Sequence, residues 1–137
     1  MEKLFIVIIL ATNLFGIDWS GKINWAINYD TAVNLAKSQN KLIMIDISKS
    51  NCPPCEYLAT KVYTNDKVAS YINNNFISLF YLVDEDKLPF IVQNYFTGTT
   101  PTIVFLKPTG KLVYNVIGAR PPEVFLDILK NIKGDSK

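Results

Sequence analysis

Cys52 and Cys55 are the two cysteines of the chain, held apart by Pro53 and Pro54 in the stretch SNCPPCEYL. Thiols at this spacing can form a small staple, supply half of a tetrahedral metal site, or act as a dithiol that exchanges electrons with other sulfur. The staple is the weakest reading, because so short a loop removes little entropy from the unfolded chain. The metal reading lacks ligands. The sequence contains no histidine, so two of the four positions would fall to carboxylates or a second subunit. The lack of histidine also removes the commonest general base and every Cys-His or Ser-His pair. Any chemistry must run on cysteine, carboxylates, tyrosine or lysine.

A reactive dithiol needs a lowered thiol pKa and a base. Cys52 stands at the start of a helix expected over EYLATKVY, where unpaired N–H groups and the positive end of the helix dipole favour thiolate. Cys55, one turn on, is expected to be shielded until a mixed disulfide forms. Cys52 is thus the attacking thiol and Cys55 the resolving one. Pro53 and Pro54 fit the first helical turn, where a missing N–H costs no helical bond. Asp46 lies six residues before Cys52, inside the apolar run KLIMIDI. Burial there raises a carboxyl pKa, and such a group beneath the resolving thiol can take its proton, directly or through a water.

The elements that must position these groups follow from pattern and punctuation. Asp30 is the expected N-cap of a helix to Gln39, with Ala32, Val33, Leu35 and Ala36 on its apolar face. KLIMIDI and NFISLFYLV (residues 75–83) read as strands buried on both faces. Between them a second helical stretch starts at Asn65 or Asp66, with Val68, Tyr71 and Ile72 on one face. After the acidic turn DEDK a helix is expected over residues 90–95. TIVFL and KLVYNVI, joined by a Pro-Gly turn, form an antiparallel hairpin that Gly118 ends. Pro121 and Pro122 open a closing helix, EVFLDILKNI. Alternating strands and helices ending in a hairpin give an α/β fold, a three-layer sandwich with a mixed central sheet and helices on both faces. Phe76, Phe80, Phe90, Phe96 and Phe105 are expected in the core, and Arg120 in a solvated loop.

The chain has 137 residues, 49% of them hydrophobic and 19% charged, with a net charge of +2. That is one globular domain without a basic stripe, which argues against nucleic acid. The opening MEKLFIVIILATNLFG carries one lysine and then an apolar run too short to span a bilayer comfortably, as in a secretory signal. Residues 1–16 are therefore expected to be a signal peptide and 17–137 the domain. The protein is expected in the periplasm or otherwise exported, or anchored in the membrane if that segment stays uncleaved.

Taken together, Asp46 on a buried strand, Cys52-Pro53-Pro54-Cys55 opening a helix, Pro101 before a hairpin, Gly118 and an amphipathic last helix resemble the thioredoxin superfamily. The likeness covers about residues 23–132. CEYLATKVYTNDKVASYINNNF is similar to exported thioredoxin-like proteins and to the C-terminal periplasmic domain of thiol:disulfide interchange reductases. The resemblance implies a thioredoxin-like sandwich and a thiol-disulfide oxidoreductase without a cofactor. It implies a cis bond at Thr100-Pro101, where a substrate chain can pair with exposed backbone, so that Thr100, Pro101, Pro53 and Pro54 contact substrate. It also implies protein thiols and disulfides as partners, with a membrane-bound or soluble thiol partner to recharge the dithiol. Two departures bear on the direction of electron flow: Asn51 stands where thioredoxins usually carry Trp, and the dipeptide is Pro-Pro. The expected activity is reduction of exported protein disulfides. An oxidant or isomerase, or a non-catalytic binding module of the same fold, are the alternatives.

Overall fold

Four strands carry the architecture in a computed structural model that describes residues 16–135. The predicted signal peptide thus lies, but for Gly16, outside the described residues. The elements run α1 (Tyr29–Gln39), β1 (Leu42–Ser48), α2 (Pro53–Tyr57), a π-helical turn (Leu58–Val62), α3 (Asp66–Asn75), β2 (Phe76–Leu82), α4 (Phe90–Gln93), β3 (Thr102–Leu106), β4 (Leu112–Ile117) and α5 (Pro122–Asp135). The sheet order is β2-β1-β3-β4. β1 pairs with β2 in parallel and with β3 antiparallel, and β3 with β4 antiparallel. This is the expected mixed sheet.

Alternation along β1 divides the core. Ile43, Ile45 and Ile47 face a cluster with Ala32 and Ala36 of α1 and Val92 of α4. Met44 faces the other way, into a cluster with Leu58 and Val62 of the π turn, Ile72 of α3, and Phe125 and Leu129 of α5. Side chains two apart on a strand share a face, so Asp46 and Ser48 lie on the Met44 side, under α2 and the π turn.

The helix starts are set by asparagines. Asn28, in extended conformation, accepts the N–H of Thr31 and caps α1. The expected cap, Asp30, sits instead in the first turn, where a negative charge also favours the helix. Asn65 caps α3, its Oδ1 accepting the N–H groups of Lys67 and Val68 at 3.1 Å each. The EYLATKVY helix departs from expectation: after Tyr57 it widens, and the Tyr63 N–H donates to the Leu58 carbonyl, five residues back, at 2.8 Å. α4 is shorter than expected and ends at Gln93. Phe90 is 78% exposed and not core, because it opens α4 on the solvent side, whereas Phe76 and Phe105 are buried.

Residues ahead of α1 bind the sheet edge and the π turn. The Ala26 N–H donates to the Ser78 carbonyl on β2, and the Lys22 N–H to the Tyr63 carbonyl at 2.9 Å. Trp19 and Trp25 pack on Phe80, and Trp25 meets Tyr63 edge-on. Gly21 has φ +54, and a Cβ there would lie 2.8 Å from the Cβ of Tyr63. Only glycine fits so close an approach at that φ.

Candidate active site

β1 ends at Ser48, and the chain must reverse before α2. Asn51 makes the turn at φ 55, a left-handed conformation that asparagine tolerates better than a bulky residue. The acidic turn after β2 steadies the loop. The Ser50 N–H donates to Asp84 Oδ1 at 3.0 Å and its hydroxyl to Glu85 Oε1 at 3.2 Å. The hydrogen bond from the Ser50 backbone holds the Asp84 carboxyl below the ordinary value.

Cys52 is the N-cap of α2 and Cys55 lies in its first turn. Their sulfurs form a disulfide, with Cα atoms 5.2 Å apart. Cys52 is 8% exposed and Cys55 only 1%. That ordering is what an attacking and a shielded resolving thiol require. Pro53 and Pro54 occupy the first two helical positions, and Cys52 makes no side-chain capping bond.

The loop before β3 meets Cys52 from across the sheet. Thr100 Oγ1 lies 3.4 Å from Cys52 Sγ and the Thr100 carbonyl oxygen 3.7 Å from it. The Thr100-Pro101 bond is cis. The Gly118 N–H donates to the Pro101 carbonyl at 2.8 Å, tying this loop to the end of β4. Arg120 turns back on the loop's own carbonyls at Ile117 and Ala119.

Asp46 is wholly buried. Oδ1 accepts from the Ser48 hydroxyl and Oδ2 from the Tyr63 hydroxyl, and neither sulfur is among its hydrogen-bond partners. Burial pushes its pKa from 3.8 up to about 6, while the two hydroxyls pull it down. Burial and the carboxylate beside it raise Tyr63 well above the ordinary tyrosine value. Both hydroxyl residues escaped sequence reasoning. Ser48 was within reach, since it stands two residues beyond Asp46 on one strand face. Tyr63 was not, because its direction depends on the π turn.

The structure thus brings Cys52, Cys55, Pro53, Pro54, Thr100 and Pro101 together at one end of the sheet. Asp46 belongs to the buried layer beneath. Among the described residues no group of three or more cysteine, aspartate or glutamate side chains is arranged to hold a metal, and no helix is long and apolar enough to cross a membrane.

A family model for the thioredoxin-like domain matches residues 29–133. The chain is 32% identical over 107 residues to thioredoxin H4 of Arabidopsis thaliana, covering 78% of this chain and 82% of that one. It is 30% identical over 107 residues to thioredoxin-2 of Saccharomyces cerevisiae, covering 78% of this chain and 93% of that one. Among solved structures, a thioredoxin from Thermus thermophilus superposes with a TM-score of 0.69 at 26% identity, over 81% of this chain and 87% of that one.

Proposed function

The chain belongs to the thioredoxin-like family and is a thiol-disulfide oxidoreductase, and on that premise we propose that it works outside the cytoplasm as a reductant of protein disulfides. The observation that carries the direction is the Pro-Pro pair at the start of α2. An N-cap side chain ordinarily accepts from the N–H of the second or third helical residue. Here the second is Pro54, which has none, and the Glu56 N–H is already given to the Cys52 carbonyl at 3.0 Å. Only the Cys55 N–H is left near the sulfur, with the Thr100 hydroxyl as the other donor. A thiolate with few donors stabilises the reduced form little, and the dithiol then gives up its electrons readily.

In the reducing direction the Cys52 thiolate attacks one sulfur of a substrate disulfide bound beside Thr100 and Pro101. A Cys52–substrate disulfide forms, and the other substrate sulfur leaves as a thiolate and takes a proton from solvent. Cys55 then passes its proton to Asp46, directly or through a water, and its thiolate attacks Cys52 Sγ. The second substrate sulfur leaves and is protonated in turn. Two electrons have moved to the substrate, and the Cys52–Cys55 disulfide remains for a thiol partner in or beside the membrane to reduce. The apolar opening of the sequence supports export, and processing of that segment is checked by N-terminal sequencing of protein recovered from the cell.

The test of direction is the equilibrium reduction potential against glutathione, read beside the redox state of the dithiol in the living cell. A low potential with a largely reduced dithiol is expected. A high potential with a fully oxidised dithiol would overturn the reductant reading in favour of an oxidant.

A further inference from the structure

We infer that Tyr63 is a positioning residue for the proton transfer at Cys55, its hydroxyl acting with that of Ser48 to hold the buried Asp46 carboxylate ionised and in one orientation. The inference rests on the reading of Asp46 as the proton acceptor of the resolving thiol. A tyrosine whose task is packing has no need of its hydroxyl, since phenylalanine fills the same space without the cost of burying a polar group. Tyr63 is fully buried, and its hydroxyl donates to Asp46 Oδ2 while the Ser48 hydroxyl donates to Oδ1. Each carboxylate oxygen can accept twice, so both keep a lone pair for a proton from Cys55, and neither hydroxyl need turn when that proton arrives.

Among the described residues, no charged group contributes to the shift of Asp46. In the sheet Asp46 stands between Phe80 of β2 and Ile103 of β3. Phe125 of α5 and Trp25 of the N-terminal segment pack on Tyr63. Glu56 and Tyr57 of α2 and Lys61 of the π turn also lie on this side, but the groups that shift Asp46 besides burial are Ser48 and Tyr63. Burial acts against ionisation of Asp46, and the two hydroxyls are the only groups that oppose it. The π turn and the Lys22 N–H fix the Tyr63 backbone, so the phenol cannot drift from its acceptor without disturbing both.

The experiment follows one step in isolation. Cys52 is loaded with thionitrobenzoate, and release of that coloured thiol by Cys55 is timed across pH 5 to 9, on the order of four pH units around the Asp46 midpoint. In parallel, the ionisation midpoint of Asp46 is read from its carbonyl infrared band, with Asp46→Asn as the blank. The wild type should show a rate limb at the Asp46 midpoint that Asp46→Asn abolishes. In Tyr63→Phe the limb and the infrared midpoint should both rise by about one pH unit, the equivalent of one hydrogen bond to a charged group. Release would then be about tenfold slower below the midpoint and return to the wild-type rate well above it.

Ser48→Ala should move the limb in the same direction and Ser48→Thr should restore it. A Tyr63→Phe protein slowed equally at every pH, with the midpoint unmoved, would overturn the inference and leave Asp46 as base. A limb that persists in Asp46→Asn would remove the base reading, and the role of Tyr63 would fall with it. If Tyr63→Phe does not fold, 3-fluorotyrosine at position 63, a stronger donor of nearly the same shape, must move the midpoint down, and an unmoved midpoint there overturns the inference.

Discussion

The Thr100 hydroxyl reaches Cys52 Sγ at 3.4 Å, although the two stand 48 positions apart in the chain. An oxygen donor at that place favours a thiolate over a thiol. Thr100→Val keeps the shape and removes the donor, at a cost of about 1 kcal/mol. Alkylation of reduced Cys52 by iodoacetamide at mildly acidic pH should slow by about fivefold, while Thr100→Ser should keep the wild-type rate. Equal rates in all three would mean that the hydroxyl does not act on the sulfur.

The two prolines lead to an opposite prediction. Pro54→Ala returns an N–H to the second position of α2, where a cap side chain can accept it. The reduced form should gain about 1.4 kcal/mol at most, equivalent to a rise of about 30 mV in reduction potential. Equilibration with a glutathione buffer reads the change, and a fall in potential would contradict the donor argument.

In the proposed mechanism the more exposed Cys52 attacks and the shielded Cys55 resolves. Cys52→Ser should abolish reduction of insulin. Cys55→Ser should accumulate mixed disulfides, visible on a non-reducing gel, because the linkage at Cys52 then has no resolving thiol. Full activity in the Cys52 variant would reverse the assignment.

Asp46 links the site to stability. Its pKa is raised from 3.8 to about 6 by burial, so between those values the native state holds a proton that the unfolded chain has lost. The contribution of Asp46 to stability is therefore greatest below about pH 4, falls as pH rises through about 6, and is flat above, the whole change being roughly 3 kcal/mol. Asp46→Asn should remove this slope and raise stability at pH 7 by about 1 to 3 kcal/mol in urea denaturation, while slowing release of substrate by Cys55. A pH slope unchanged in the variant would assign it to other groups.

What the sequence revealed and what it hid divide along physical lines. The strands were legible because each is a short apolar run, and the dithiol because Pro and Cys leave few other readings. Asn28 displaced Asp30 as a cap because either residue can accept the N–H, and the choice rests on which one takes the extended backbone. The π turn left no periodic trace: residues 55, 58, 59 and 62 are spaced as in any amphipathic helix, and the extra width appears only where Tyr63 bonds to Leu58. The contact between Tyr63 and Asp46 depends on that width and on packing by residues far away in the chain. Thr100 was identified as a neighbour of the dithiol through its proline, but its hydroxyl bond to sulfur needed the folded loop.

The glycine at position 21 moves the boundary of the working unit. Its missing side chain lets the chain lie against Tyr63, and the next amide fastens there. A protein trimmed to begin at α1 would still contain both cysteines, the cis proline and the buried acid, and the sheet would still be whole. It would have lost the brace behind the phenol. The leading segment is thus a part of the redox centre that touches none of its sulfur, and a domain swap made at the first helix would transplant the thiols without their tuning.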